Sequence, residues 1–411
     1  MLPRVKSRVD SPYAWVVAFS ALLLIATSSG IFFLVGIAIV PNADAFGVDI
    51  ASASLPYGLG MLGLGIGGIA MGWLADRVGP FWPAAAGGLA IPLGGFLVGR
   101  SEQFWAIALI YGVLFGLIGN GGIVTPLFVT VTRWFDRRRG VAAAVVGSGQ
   151  ALGGALWPLI FHWSVGDFGW RVTYGGYALF ALVLMLPLAC VLRRPIPEES
   201  APRARAESGD LQSPVLGLPQ NLVLALLCLA IVGCCIPMSL PLVHLPKYVV
   251  ERGFDLGQGA RILSVAMIVS MASRIAWGFL CDRIGGLLAL FLASAMQATA
   301  LALMGVTSSQ WGLYGIAIFF GMGFGGILPC YPIILREHFP IEGLGWRIGV
   351  VLLFGSIGMA LGPEVAGRLF ARTGDYSFSF AVAVGVNIVN LAIIGTLNLR
   401  HLREVRAPAL A

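Results

Sequence analysis

The chain has 411 residues, of which 58% are hydrophobic and only 11% charged, with a formal net charge of +7 and a mean hydropathy of +0.89. Soluble domains sit near about 45–50% apolar and about 25% charged, so this composition excludes an ordinary soluble enzyme and points to a polytopic membrane protein. The surplus of Lys and Arg shows no basic stripe with interleaved aromatics, which argues against nucleic acid as a partner; in a membrane protein it reports orientation instead.

Arg4, Lys6 and Arg8 precede the first apolar run. That run, from about Tyr13 to Val40, is too long for the core of a cleaved signal peptide and reads as an uncleaved first span. Apolar runs set against polar breaks then predict five more spans, giving residues 13–40, 53–74, 81–99, 105–132, 141–163 and 172–192. RRPIPEESAPRARAESGDLQSP follows, the longest polar stretch, rich in Pro and Ser, and reads as a linker. Six further spans are predicted at 220–246, 258–281, 286–305, 311–335, 346–371 and 377–399. The expected fold is an all-α membrane protein of twelve transmembrane helices in two six-helix bundles, 1–192 and 220–411, joined by a cytoplasmic linker at 193–219. Cys190, Cys228, Cys234, Cys235, Cys281 and Cys330 lie in or at the ends of apolar runs without metal-finger spacing, so they read as free thiols, and no metal site is expected.

An even number of spans puts both termini on one side. Counting loops and helix ends, that side holds eighteen Lys and Arg residues and the other seven. The bias makes the termini cytoplasmic. Arg274 belongs to neither side, because it falls inside the eighth span.

The phrase GWLADRVG at Gly72–Gly79 returns 206 residues later as GFLCDRIG at Gly278–Gly285, each time in a short cytoplasmic loop. Gly72 and Gly278 are expected to let a neighbouring helix approach closely, and Gly79 and Gly285 to make left-handed turns. FGLIGNGGIVTP at Phe115–Pro126 is echoed by FGMGFGGILPC at Phe320–Cys330, and GSGQALG at Gly147–Gly153 by GSIGMALG at Gly355–Gly362. Such parallel repeats are one of the transporter architectures. The doubled G-x-L-x-D-R-x-G resembles the signature of the major facilitator superfamily, and the resemblance covers essentially the whole chain. SPYAWVV at Ser11–Val17, RWFDRRRGVAAAVVGSGQALG at Arg133–Gly153 and LGPEVAGRLFARTGDYSFSF at Leu361–Phe380 resemble its monocarboxylate transporter and oxalate/formate antiporter branch. Glu364 departs from that pattern, where relatives often carry Pro or an apolar residue. The resemblance implies contacts between the halves, Asp76 toward span eleven and Asp282 toward span five. The set Gly72, Asp76, Arg77, Gly79, Gly278, Asp282, Arg283 and Gly285 would then latch the cytoplasmic side.

Arg274 stands eight residues before Asp282, about 12 Å inside the membrane. A charge there costs at least ~2.5–3.5 kcal/mol on insertion scales and marks a cavity or a partner. No carboxylate occupies a helical neighbour position, since Ser270 lies four before it and Trp277 and Gly278 follow. A guanidinium fork suits a substrate carboxylate, and a lumen-facing Arg here is what the resemblance implies. The oxalate/formate branch adds a lysine in span eleven that this chain lacks. One buried cation favours a substrate with a single carboxylate, such as lactate or pyruvate. Animal relatives place an Asp where Ser270 stands, so their proton route does not carry over. Glu364 and His244 are the proton-coupling candidates, with bland interfacial and structural roles open for both. Asn120, Val146, Gln150, Cys330, Tyr331 and Phe354 are further candidates for the substrate wall, and helix packing explains each equally well.

GLGMLG (Gly58–Gly63) and GMGFGG (Gly321–Gly326) match G-x-G-x-x-G, yet both lie inside apolar spans, so close helix packing is expected and no nucleotide cofactor. No nucleophile–base pair indicates an enzyme. The expectation is a carrier of small monocarboxylates driven by ion gradients, with the lipid bilayer and a proton as partners. It would work as a monomer in a bacterial inner membrane. Anion exchange in place of proton symport stays open.

Overall fold

The computed structural model describes residues 9–135, 139–194, 214–340 and 344–406. The N-terminal Arg4, Lys6 and Arg8 and residues 195–213 of the expected linker lie outside the described residues. The described residues are almost entirely helical: α1 (Pro12–Phe46), α2 (Ile50–Val78), α3 (Phe81–Arg100), α4 (Phe104–Ile110), a π-helical segment (Tyr111–Asn120), α5 (Gly121–Trp134), α6 (Arg139–Val191), α7 (Gln220–Glu251), α8 (Leu256–Ile284), α9 (Gly286–Val306), α10 (Gln310–His338), α11 (Leu344–Thr373) and α12 (Ser377–Arg406). Among the described residues eleven helices are long and apolar enough to cross a membrane. Backbone groups in lipid need internal partners, which a helix supplies within its own segment.

The helix ends follow local chemistry. Ser11 caps α1 by accepting from the Ala14 N–H at 3.3 Å, with Pro12 at the first helical position. Asp255 caps α8 through the Gln258 N–H at 2.9 Å. The turns after α2 and α8 pass through Gly79 and Gly285, with φ of 88° and 80°, a region L residues avoid. Glu337 of α10 then accepts from the Gly286 N–H at 3.0 and 3.3 Å, so its carboxylate caps α9.

The break expected between residues 163 and 172 shrinks to one residue. The stretch α6, Arg139 to Val191, is two helices joined across a kink at Gly169, whose φ of 78° and ψ of 162° are not helical. Thr173 ties this corner, hydrogen-bonding the Gly169 carbonyl at 2.9 Å and the Ser164 hydroxyl at 2.8 Å. Short polar side chains here replace the loop that GDFGWR suggested.

The described residues within Met1–Val48 and Leu55–Ala204 form one compact unit, and those within Asp49–Ser54 and Arg205–Ala411 form another. In the first unit α1 is the most enclosed helix, with 89% of its apolar window buried. Its carbonyls accept from later elements: Trp157 donates to Ala26 at 2.8 Å, Tyr177 to Thr27, Asn120 to Ser28 at 3.2 Å and Tyr111 to Ile31 at 3.1 Å. In the second unit α7 packs on α11, α8 on α10, and α9 on both α10 and α12.

Candidate functional site

Helix α8 carries Arg274 near its middle, ten residues before Ile284 and so about 15 Å from that end. The turn around Arg274 is set by α10. A Cβ added at Gly325 would sit 2.6 Å from the Ser270 carbonyl and 3.3 Å from the Arg274 nitrogen. One added at Gly321 would sit 3.0 Å from the Ala266 carbonyl carbon. Only hydrogen side chains let α10 lie this close. Ser273 then hydrogen-bonds the Ser270 and Gly321 carbonyls at 3.1 and 3.4 Å, and Trp277 donates to the Met322 carbonyl at 2.7 Å. The backbone that presents Arg274 is therefore rigidly seated.

Ser270 and Cys330 are fully buried on this α8–α10 seam, and Tyr331, next along α10, is buried as well. The Cys330 and Cys281 sulfurs stand 3.4 Å apart, and Cys330 donates to the Gly326 carbonyl at 2.9 Å. Phe354 on α11 is 38% exposed. In the first unit, Asn120 spends its amide N–H groups on the Ser28 and Phe115 carbonyls at 3.2 and 3.0 Å. Val146 is fully buried and Gln150 half-buried on α6. The candidates thus form two groups, Ser270, Arg274, Cys330, Tyr331 and Phe354 in one unit and Asn120, Val146 and Gln150 in the other.

His244 and Glu364 fall in one layer of the second unit. The Pro363 carbonyl can only accept, so His244 Nε2 carries hydrogen and donates to it at 2.9 Å. Nδ1 then accepts from the Tyr376 hydroxyl at 2.8 Å. Both ring nitrogens of this buried imidazole are engaged in its neutral form. Tyr376 stacks on Phe370 with ring centroids 4.6 Å apart, and Lys247 lies 3.9 Å above the Phe370 ring. Glu364, next along α11, receives Arg368 Nε at 2.9 Å and Nη2 at 2.8 Å, both on Oε1. Its Oε2 is buried without a hydrogen-bond partner among the described residues. Beyond the end of α11, Asp375 has its carboxyl held below the usual 3.8, first by the Ser377 hydroxyl and further by nearby Arg252. Tyr376→Phe is expected to strand His244 Nδ1 and cost about 1–3 kcal/mol. A thermal unfolding midpoint equal to that of the wild type would contradict this.

Sequence reasoning had no means of finding Arg133. It lies at the end of α5, and its Nη2 meets Asp76 Oδ1 at 2.9 Å within the first unit. Arg77 lies over the Trp73 ring at 3.8 Å. Asp282 and Arg283 close α8, the Asp282 side chain lying outside the described residues. One expectation is corrected. Gly72 and Gly278 make no close helix approach: a Cβ at Gly72 would meet Thr125 at an ordinary 3.8 Å, and one at Gly278 would find nothing within 4 Å. The tight contacts lie earlier on α2. A Cβ at Gly60 would lie 2.6 Å from the Phe32 ring, one at Gly63 2.8 Å from the Leu117 nitrogen, and one at Gly67 2.7 Å from the Leu117 Cα. Gly60 and Gly63 belong to GLGMLG and Gly321 to GMGFGG, so these two motifs serve helix packing.

An all-α, multi-pass membrane protein with a charged side chain set deep in a glycine-packed helix pair is a transporter in kind, not an enzyme. The chain matches the Major Facilitator Superfamily over residues 17–363 and belongs to that family. It is 27% identical over 391 residues to monocarboxylate transporter 13 of Bos taurus, covering 94% of this chain and 90% of that protein. It is 26% identical over 311 residues to the agnestins efflux protein AgnL12 of Paecilomyces divaricatus, covering 75% and 69%. A bacterial homolog of the human lysosomal transporter Spinster, in an inward-facing and occupied conformation, shares the fold with a TM-score of 0.71 at 15% identity, covering 96% of this chain and 98% of that one.

Proposed function

We propose that this protein is a secondary transporter that carries small monocarboxylates of the lactate and pyruvate type together with a proton, by alternating access. The observation that carries the reading is Arg274, one guanidinium held deep in the membrane by the α8–α10 seam. The similarity to monocarboxylate transporter 13 supports the substrate class. Ser270, Cys330, Tyr331 and Phe354, with Asn120, Val146 and Gln150, are assigned to the wall around the acid's carbon chain. Glu364 is the stronger proton candidate, because one carboxylate oxygen stays unsatisfied while both nitrogens of His244 are engaged.

The architecture we infer is twelve crossings in two related six-helix bundles, residues 1–192 and 220–411, with both termini cytoplasmic. The 47-residue span within α6 is ~70 Å long, over twice a ~30 Å hydrocarbon layer, and its kink at Gly169 splits it into two crossings. Packing of α1 on α6 and α3 on α6 has counterparts in α7 on α11 and α9 on α12, which supports the repeat. A monomeric unit, a bacterial inner membrane and a cytoplasmic latch built on Asp76 and Asp282 complete the reading.

Uptake of labelled lactate into proteoliposomes tests it. Acid outside should accelerate uptake into vesicles loaded with buffer alone. Uptake that ignores the pH gradient but requires an internal carboxylate would establish exchange instead. No uptake of any monocarboxylate under either condition sinks the substrate assignment.

A further inference from the structure

The two echoed segments differ by one residue. FGLIGNGG at Phe115–Gly122 aligns with FGMGFGG at Phe320–Gly326 only if one of the two residues between Gly116 and Gly119 is extra, and Leu117 pairing with Met322 leaves Ile118 as that residue. The neighbouring helices confirm the alignment on both sides of that residue. A Cβ at Gly116 would lie 3.0 Å from Gly63 Cα and also meets Gly60, while its counterpart Gly321 meets Ala266, which is Gly60 displaced by 206 residues. A Cβ at Gly121 would lie 2.8 Å from Gly67 Cα, while its counterpart Gly325 meets Ser273, which is Gly67 displaced by 206. Five residues separate the seated glycines in the first unit and four in the second.

Geometry dictates what must happen to the fifth residue. In an α-helix five residues turn about 500°, which would swing Gly121 about 140° away from Gly116 and off α2. A π turn, bonded from i to i+5, carries both glycines on one face. The chain is π-helical over Tyr111–Asn120, and the Gly121 N–H reaches back to the Gly116 carbonyl. Asn120 adds a side-chain bond to the Phe115 carbonyl, also five residues back, and a second to Ser28 on α1. In the second unit Phe324 stands in its place, within an unbroken α10.

We propose that Ile118 is an inserted residue and that the π turn it creates is a moving joint in the first bundle. The turn lets α5 swing relative to α4 about Gly121, while both glycines keep their seat on α2. Arg133, at the far end of α5, would thereby make and release Asp76 as the transporter cycles. The joint rests on the chain's family, not on lactate being its cargo. Asn120 acts as a positioning residue that holds the joint in the π form.

Hydrogen exchange on the full-length protein in lipid nanodiscs tests this without substrate. The amides of Tyr111–Asn120 should exchange about tenfold or more faster than those of Ile316–Gly325. Equal protection overturns the joint. Deleting Ile118 should erase the difference and, in protein with a wild-type unfolding midpoint, lower the maximal rate of lactate uptake about tenfold or more with KM unchanged. A folded deletion variant that transports at the full rate overturns the proposal. If the deletion does not fold, Asn120→Leu decides: exchange of the same amides should rise about a further tenfold, and unchanged exchange overturns it. Should the wild type take up no monocarboxylate, the exchange comparisons still judge the joint by themselves.

Discussion

Arg274→Ala is expected to leave a folded protein that no longer binds monocarboxylates. A hydrogen bond to a charged partner is worth about 1.5–3 kcal/mol, so losing a two-pronged contact should weaken affinity by about 100-fold to 1,000-fold or more. Arg274→Lys keeps the charge but not the planar fork, and should recover only part of that loss. The measurement is equilibrium binding of labelled lactate to purified protein in nanodiscs. The backbone at Arg274 is held by Gly321 and Gly325 and by the Ser273 and Trp277 hydrogen bonds, none of which involves the guanidinium. Folding should therefore survive the substitution, and affinity within about threefold of the wild type would refute the assignment.

The second large effect concerns packing. Gly67→Ala should destabilise the protein by about 2–3 kcal/mol, since the new methyl meets the Leu117 backbone at 2.7 Å and a helix, not a side chain, must give way. Gly67→Leu should prevent folding. Gly278→Ala, in the second copy of the doubled phrase, is the control. With nothing within 4 Å of the new methyl, it should be neutral or stabilising by up to about 1 kcal/mol. Thermal unfolding of the two variants side by side reads the contrast. Equal midpoints would mean that the close approach at Gly67 carries no energetic weight.

Run length, the doubled phrase and the intramembrane position of Arg274 were legible in the sequence, because each is a property of neighbouring residues or of a close echo. Residue-to-residue pairing over long separations was not. Nothing near Asp76 names Arg133, 57 positions away, and nothing in PLVHLPKY announces Tyr376, 132 positions on. Gly72 and Gly278 misled because a glycine repeated within the chain can serve packing only where a partner helix is near, and that nearness is set by tertiary geometry. GDFGWR marked a break that is narrower than a loop, because the chain turns at Gly169 alone and Thr173 hydrogen-bonds its carbonyl. The one-residue difference between the echoes was visible all along, but its meaning required the i to i+5 bonds.

The enclosure of α1 bears on how the protein is made. Helix α1 leaves the ribosome before every other described helix, yet its carbonyls at Ala26 and Thr27 are met by Trp157 and Tyr177, more than 130 residues downstream. Asn120 and Tyr111 reach the Ser28 and Ile31 carbonyls earlier, but until α6 is inserted the Ala26 and Thr27 carbonyls wait for their donors. Its high mean hydropathy of 2.4 lets α1 wait in the bilayer. Biogenesis of the first bundle is therefore obliged to run with its central strut only partly supported until α6 is in place.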